Sequence, residues 1–515
     1  MTSPGFTPAG CGPFGHHPHD PHNPRGLPAW CRWSLVATWA GGLAACAGLQ
    51  GGAPENTADA LAKASRAMGT AQLKSVRYVG EGIGHSFGQA YQPGGAWPRI
   101  TLHSVTRTID FDAAAMRDEI VLSRAEPQGG GGYPLQGQQR NDQFVSGELA
   151  WNLAGTTATP GPRFVADRVH QLWVSPHGVL KAAARNNASA RRGADGGTVL
   201  SFTEPGRFRA TALINADGLV TQVDSTFADP VLGDTQAVTT YSDYGDAAGI
   251  KFPMRIRQTL AGFSVLDLAV KQVQINVDTT ALQAPDAARN PGERVTTEKV
   301  AEGVWFVAGG SHNSVAIEMA DHLVLVETPL NDARTQAVID AVKPLAPGKP
   351  IRYAINSHAH FDHAGGLRAA VAEGATLVTH AANVPYFERA LMQPNGLRPD
   401  RLAQSGKRAS LTGVADKLEM RDATRSIEIH RIADSAHSAS FLMVYLPKER
   451  LLIEADGFTP GPPNAPPPAV PNANHLNLVA NIERLQLGVD RLLPLHGRVV
   501  PLADLYTAVG KAPPR

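Results

Sequence analysis

Ser357-His358-Ala359-His360-Phe361-Asp362-His363 packs four potential metal ligands into six positions. The run directly follows the apolar segment Ile351–Asn356, which predicts a strand with the ligands on the loop at its C-terminal end. Imidazole and carboxylate suit zinc and other divalent transition metals. In an extended loop His358 and His360 alternate and can point one way. The adjacent Asp362 and His363 turn toward a second position. All three cysteines, Cys11, Cys31 and Cys46, lie near the start of the chain. The body that follows therefore has no thiolate ligand and no cysteine nucleophile.

The H-x-H-x-D-H pattern after a strand, followed by Gly365-Gly366, resembles the metallo-β-lactamase-fold hydrolases. The resemblance runs from about Val304 to Pro501 and implies three later ligands in a fixed order. One is a His opening a strand among small residues, matched by Ala436-His437-Ser438-Ala439-Ser440. The next is an acidic residue closing the following strand, matched by Leu451-Leu452-Ile453-Glu454-Ala455-Asp456-Gly457. The last is a His after an apolar strand near the C-terminus, matched by Leu492-Leu493-Pro494-Leu495-His496-Gly497. By this resemblance His358, His360 and His437 would hold one metal. Asp362, His363 and His496 would hold the other, and Asp456 would bridge both. The implied fold is an αββα sandwich with the site at the edge between two sheets. The implied cofactor is Zn2+, two ions per chain, with Fe or Mn also compatible with these donors. A hydroxide shared by the ions would attack a carbonyl, with Asp362 as the catalytic residue that orients it and carries its proton. His312, His322, His380, His430 and His475 match no ligand position and read as structural. A loop over Pro460–Asn474 could still bring His475 over the metals, and His380 could also reach the site.

Departures from the pattern narrow the reaction. No cysteine stands at Asp456, unlike the β-lactamases that carry a Cys ligand there, so the set is closer to that of glyoxalase II-like thioesterases and lactonases. His360 stands where flavodiiron oxidoreductases carry Glu. The expected reaction is hydrolysis of a thioester, lactone or ester in a small-molecule substrate. The alternatives are a β-lactamase, a mononuclear iron sulfur dioxygenase and a non-catalytic envelope binding protein.

These ligands need elements to hold them. Consecutive strands are expected at Gly303–Ala308, Ser314–Met319 and Leu323–Glu327, then a helix from Asp332 to Val342. Strands at 351–356 and 375–379 alternate with helices near 366–372 and 384–391, which indicates layered α/β packing. Upstream, Thr57 is expected to cap a helix ending near Gly69, with Leu61 and Met68 on its apolar side. From Lys74 to about Val277 the text is strand-like, with turns such as Asn215-Ala216-Asp217-Gly218. Tyr241–Tyr244 and Gly249–Pro253 read as a hairpin similar to those of lipoprotein-sorting and lipoprotein-carrier domains. Trp97, Trp151 and Trp173 read as core, and Gly129–Gly132 as a flexible loop. Residues 280–297 read as a polar linker. The expected division is a leader at 1–46, a β-rich antiparallel N-terminal accessory domain at 57–280 and the α/β catalytic domain at 295–515.

The chain has 515 residues, with 47 Lys plus Arg against 46 Asp plus Glu. That balance disfavours binding driven by phosphate charge, so no nucleic-acid partner is expected. Arg25 and Arg32 precede the apolar run 33–45, the pattern of a bacterial export signal. Leu43-Ala44-Ala45-Cys46 resembles a lipobox, in which Cys46 would be lipidated and anchor the chain to a membrane. The expected location is the bacterial cell envelope, in the periplasm or on a lipid anchor. The oligomeric state is not legible.

Overall fold

A computed structural model describes residues 52–125, 137–289, 292–463 and 466–512. The leader with Cys46 and the Gly129–Gly132 loop lie outside the described residues. The described residues form one compact unit built on three sheets.

The first helix, Thr57–Met68, buries Ala60, Ala64 and Met68, a spacing of four that keeps them on one face. Its cap is Asn56 rather than Thr57: the Asn56 side chain accepts the amides of Ala58 and Asp59. Thirteen strands follow and join Pro54–Glu55, which precedes the helix, in one fourteen-stranded antiparallel sheet that runs from Pro54–Glu55 at one edge to Thr157–Pro160 at the other. Alternation sets the buried face. In strand Phe208–Ile214, residues Phe208, Ala210, Ala212 and Ile214 are buried. The Asn215–Gly218 turn joins this strand to Val220–Asp229, and the expected hairpin pairs Gly233–Ala247 with Ile250–Leu260.

Two helices, Val165–Trp173 and Gly178–Arg185, interrupt the stretch that reads as continuous strand. In the first, Arg168 and His170 are buried beside Val169, Leu172 and Trp173. Arg168 is satisfied by the carbonyls of Phe144 and Trp151, each at 2.8 Å, and so ties the helix to two strands. Within the polar 280–297 segment, residues 280–289 are more ordered than their composition suggests. They make two short 3-10 turns, and Leu282 and Ala288 pack against the stacked rings of Phe144 and Trp151.

The C-terminal region is an αββα sandwich. A seven-stranded sheet comprises Thr296–Ala301, Val304–Ala308, Ser314–Glu318, Leu323–Val326, Ile351–Ile355, Thr376–His380 and Leu411–Val414. Its first four strands pair antiparallel and its last four parallel. The parallel strands need crossovers, and helices Asp332–Val342 and Leu367–Glu373 supply two of them. The six-stranded sheet Lys417–Pro501 packs against it. Alternation again assigns the layers: Val304 and Phe306 join the core between the sheets, while Trp305 and Val307 face helix residues Val338, Ile339 and Val342. Helix Ala473–Leu485 covers the second sheet through Leu478, Val479 and Ile482.

Candidate metal centre

Strand ends gather the ligand residues. Ile351–Ile355 leads into the loop that carries His358 and His360, and the one-turn helix Phe361–Ala364 carries Asp362 and His363. In the other sheet, Leu451–Glu454 and Arg491–Pro494 run parallel as neighbours, so Asp456 and His496 emerge together just past their ends. His437 lies on the loop before Leu442–Leu446. Gly365 allows the ligand loop to close: a Cβ there would lie 2.1 Å from the Leu330 carbonyl oxygen.

All seven predicted positions converge. His358, His360, His437 and Asp456 form one group whose ligand atoms lie within 4.8 Å of one another. Asp362, His363 and His496 form a second such group together with His312. Asp456 touches both groups. Its Oδ2 is 2.8 Å from His437 Nε2 and 3.2 Å from His358 Nε2 and His363 Nε2, and its Oδ1 is 2.8 Å from His496 Nε2.

Outer hydrogen bonds select the tautomers. Glu327, fully buried at the end of strand Leu323–Val326, accepts His363 Nδ1 at 3.0 Å and the Ser357 hydroxyl at 2.5 Å. That hydroxyl has spent its proton on Glu327, so His358 Nδ1 donates to it at 2.9 Å. His496 Nδ1 donates to the Ser311 carbonyl at 2.8 Å. These three rings therefore keep the proton outside and turn Nε2 inward. His360 is reversed: Nε2 faces the Ala90 carbonyl at 3.2 Å, and its buried Nδ1 has no hydrogen-bond partner.

His312 is the correction to the ligand reading. It is buried, its Nε2 lies 3.2 Å from Asp362 Oδ2, and its ring centroid lies 4.3 Å from that of His496. No local pattern in Gly309-Gly310-Ser311-His312 marks it. Glu327 was also missed, although an acidic residue closing an all-apolar strand is a visible signal. His475 packs on Phe458 with ring centroids 4.9 Å apart, and His380 accepts the Ala382 amide; neither joins the cluster. His322 and His430 pair with Asp321 and Glu428. Gly84-His85-Ser86-Phe87-Gly88 has the G-x-S-x-G spacing of a nucleophile elbow. Ser86 leaves an antiparallel strand into a turn with no helix after it, so the elbow is not formed.

Electrostatics suit a cation. Burial opposes ionisation of Asp456, yet the rings of His363, His437 and His496 hold it well below the ordinary carboxylate range. Asp362 is likewise held low, against burial, by His363 and His312. Burial pushes His358 down to about 3 and His312 to about 4, and drives His360 well below its usual value. His363 and His496 go the other way: Asp456 overcomes burial and raises both. Glu454, two residues before Asp456, is pushed well up by burial.

Residues 307–496 match the family model of the metallo-beta-lactamase superfamily. They form a metallo-beta-lactamase superfamily domain. That superfamily is one of metal-dependent hydrolases, and its fold binds metal ions. Among curated relatives, the chain is 26% identical over 196 residues to the 2,4-dinitroanisole O-demethylase subunit alpha of Nocardioides sp. (strain JS1661). The match covers 38% of this chain and 55% of that protein, so the chain spans about half of the relative's length. Similar solved structures include metallo-beta-lactamases from Pontibacter korlensis and Hirschia baltica, at 16% and 22% identity and a TM-score of 0.32 each. Both similarities cover 42% of this chain, and they cover 98% and 96% of those chains.

Proposed function

We propose that the chain is a binuclear metal-dependent hydrolase that cleaves a thioester, lactone or ester in a small molecule. The observation that carries this reading is Asp456, whose two oxygens meet imidazoles of both ligand groups. The donors fit divalent zinc. They are nitrogen and carboxylate oxygen only, and the unpartnered His360 Nδ1 gains a partner when it ligates. Asp456 raises both His363 and His496 against burial, so the cluster favours positive charge at this point, which a cation supplies. When bound, zinc supplies Lewis acidity and brings the pKa of water toward about 7. Asp362 Oδ2 faces the cluster and can orient the attacking water and accept its proton. His312 Nε2, on the same oxygen, steadies that carboxylate. Asp456 rather than a cysteine favours the thioesterase and lactonase reading over β-lactam hydrolysis. By the same reading Cys46 anchors the chain in the bacterial envelope, which rests on residues 25–46 alone.

The test is bound metal per chain, measured by plasma mass spectrometry on protein purified without chelator. Two zinc ions, lost in His360→Ala together with turnover, support the proposal. No metal after reconstitution overturns it, and one iron per chain would move the chemistry to oxygen. The substrate panel holds thioesters, lactones, esters, β-lactams and 2,4-dinitroanisole.

A further inference from the structure

The segment between strands Ser75–His85 and Arg99–Asp110 belongs to the N-terminal sheet, yet it ends at the metal centre. Gln89 Nε2 donates to Asp362 Oδ1 at 2.8 Å, the oxygen opposite the one that faces His312. The neighbouring Ala90 carbonyl faces His360 Nε2 at 3.2 Å. Two adjacent residues thus hold one ligand from each group. The segment is itself fixed. Phe361 N donates to the Gly88 carbonyl at 3.0 Å, Ala439 N to the Tyr91 carbonyl at 2.9 Å, and the Tyr91 hydroxyl to the Ser435 carbonyl at 3.0 Å. Phe361, between two ligand positions, packs edge-on to Phe87 and Trp97 with ring centroids 5.3 and 5.6 Å away.

We propose that residues 88–91 of the N-terminal sheet region are a working part of the metal centre, with Gln89 the positioning residue for Asp362. The proposal rests on the metal-centre reading above. An amide N–H on Oδ1 sets the carboxylate plane so that Oδ2 turns inward, toward His312 and His363. The Ala90 carbonyl fixes the proton of His360 on Nε2 and leaves Nδ1 to ligate. Outer partners of this kind are worth about 10–100-fold in metal affinity. The sandwich contacts Asp362 at Oδ2, through His312 and His363, and Gln89 is what meets Oδ1.

The test compares the full chain with Gln89→Ala and Gln89→Met after metal removal and titration with cobalt(II). Gln89→Met keeps length and apolar contact but has no N–H. Expected is an equal loss in both variants: about 10–100-fold weaker binding at one of two sites by chelator competition. The visible cobalt spectrum of that site changes, and the thermal midpoint hardly moves. Wild-type affinity and spectrum in both variants would overturn the proposal. So would wild-type behaviour in Gln89→Met alone, because the effect would then be packing. If the wild-type chain takes up no cobalt, the metal-centre reading falls first and this proposal falls with it.

Discussion

Glu327 is one buried carboxylate that serves two ligands, His363 directly and His358 through the Ser357 hydroxyl. Glu327→Gln keeps the shape but places an N–H2 against groups that must donate. Both ligand contacts fall on Oε2, so the amide either loses them or keeps them by turning its N–H2 on the Asn356 amide and the Ser357 N–H, which also donate. The expected outcome is a metal affinity about 10–100-fold lower, read by competition with a chromophoric chelator, with the fold intact by circular dichroism. At this scale the sequence shows ligands that share a short loop and hides those that arrive by packing. His358 to His363 announce themselves through spacing, and His437, Asp456 and His496 through the strand contexts that the family resemblance demands. His312 and Gln89 lie on loops whose local residues carry no metal signature. Their roles exist only once separate strands have been brought to one edge.

Gly88 sits where two elements meet. Its φ is +80, and a Cβ would lie 2.7 Å from the Phe361 ring. Gly88→Ala combines a left-handed backbone with overpacking against the ligand helix. Together these cost about 2–3 kcal/mol. Urea unfolding should show a lower midpoint at unchanged slope, and an unchanged midpoint would refute this account. The expected helix Asp332–Val342 is the helix observed, and the sandwich strands agree within a residue or two at each end. The helices at Val165–Trp173 and Gly178–Arg185 fall inside a stretch that reads as strand, and in the first a buried Arg168 and His170 look like surface residues until their partners are known. Leu282 and Ala288 likewise look like linker residues until Phe144 and Trp151 cover them.

Acid should loosen the molecule where helix Val165–Trp173 packs on its N-terminal sheet. His170 is fully enclosed, stacked on Phe227 and hydrogen-bonded to the Ser225 hydroxyl, and burial pushes its pKa down to about 4. In the unfolded chain it titrates near 6.5, so between these values the unfolded state binds the extra proton and stability falls as pH drops. His170→Phe removes this dependence. Between pH 7.5 and pH 4.5 the wild type should lose about 2–3 kcal/mol more unfolding free energy than the variant. Equal losses would show that the ring is not neutral in the fold. The rims of that sheet have a consequence of another kind. An open sheet exposes a row of unpaired amides along each outer strand and invites a strand from another molecule. Here one rim is the two-residue Pro54–Glu55 and the other the four-residue Thr157–Pro160. Each is short, and each spends a position on proline, which has no N–H to offer. A crowded neighbour finds too little backbone to pair with, and fourteen strands remain the end of the sheet rather than the start of a fibre.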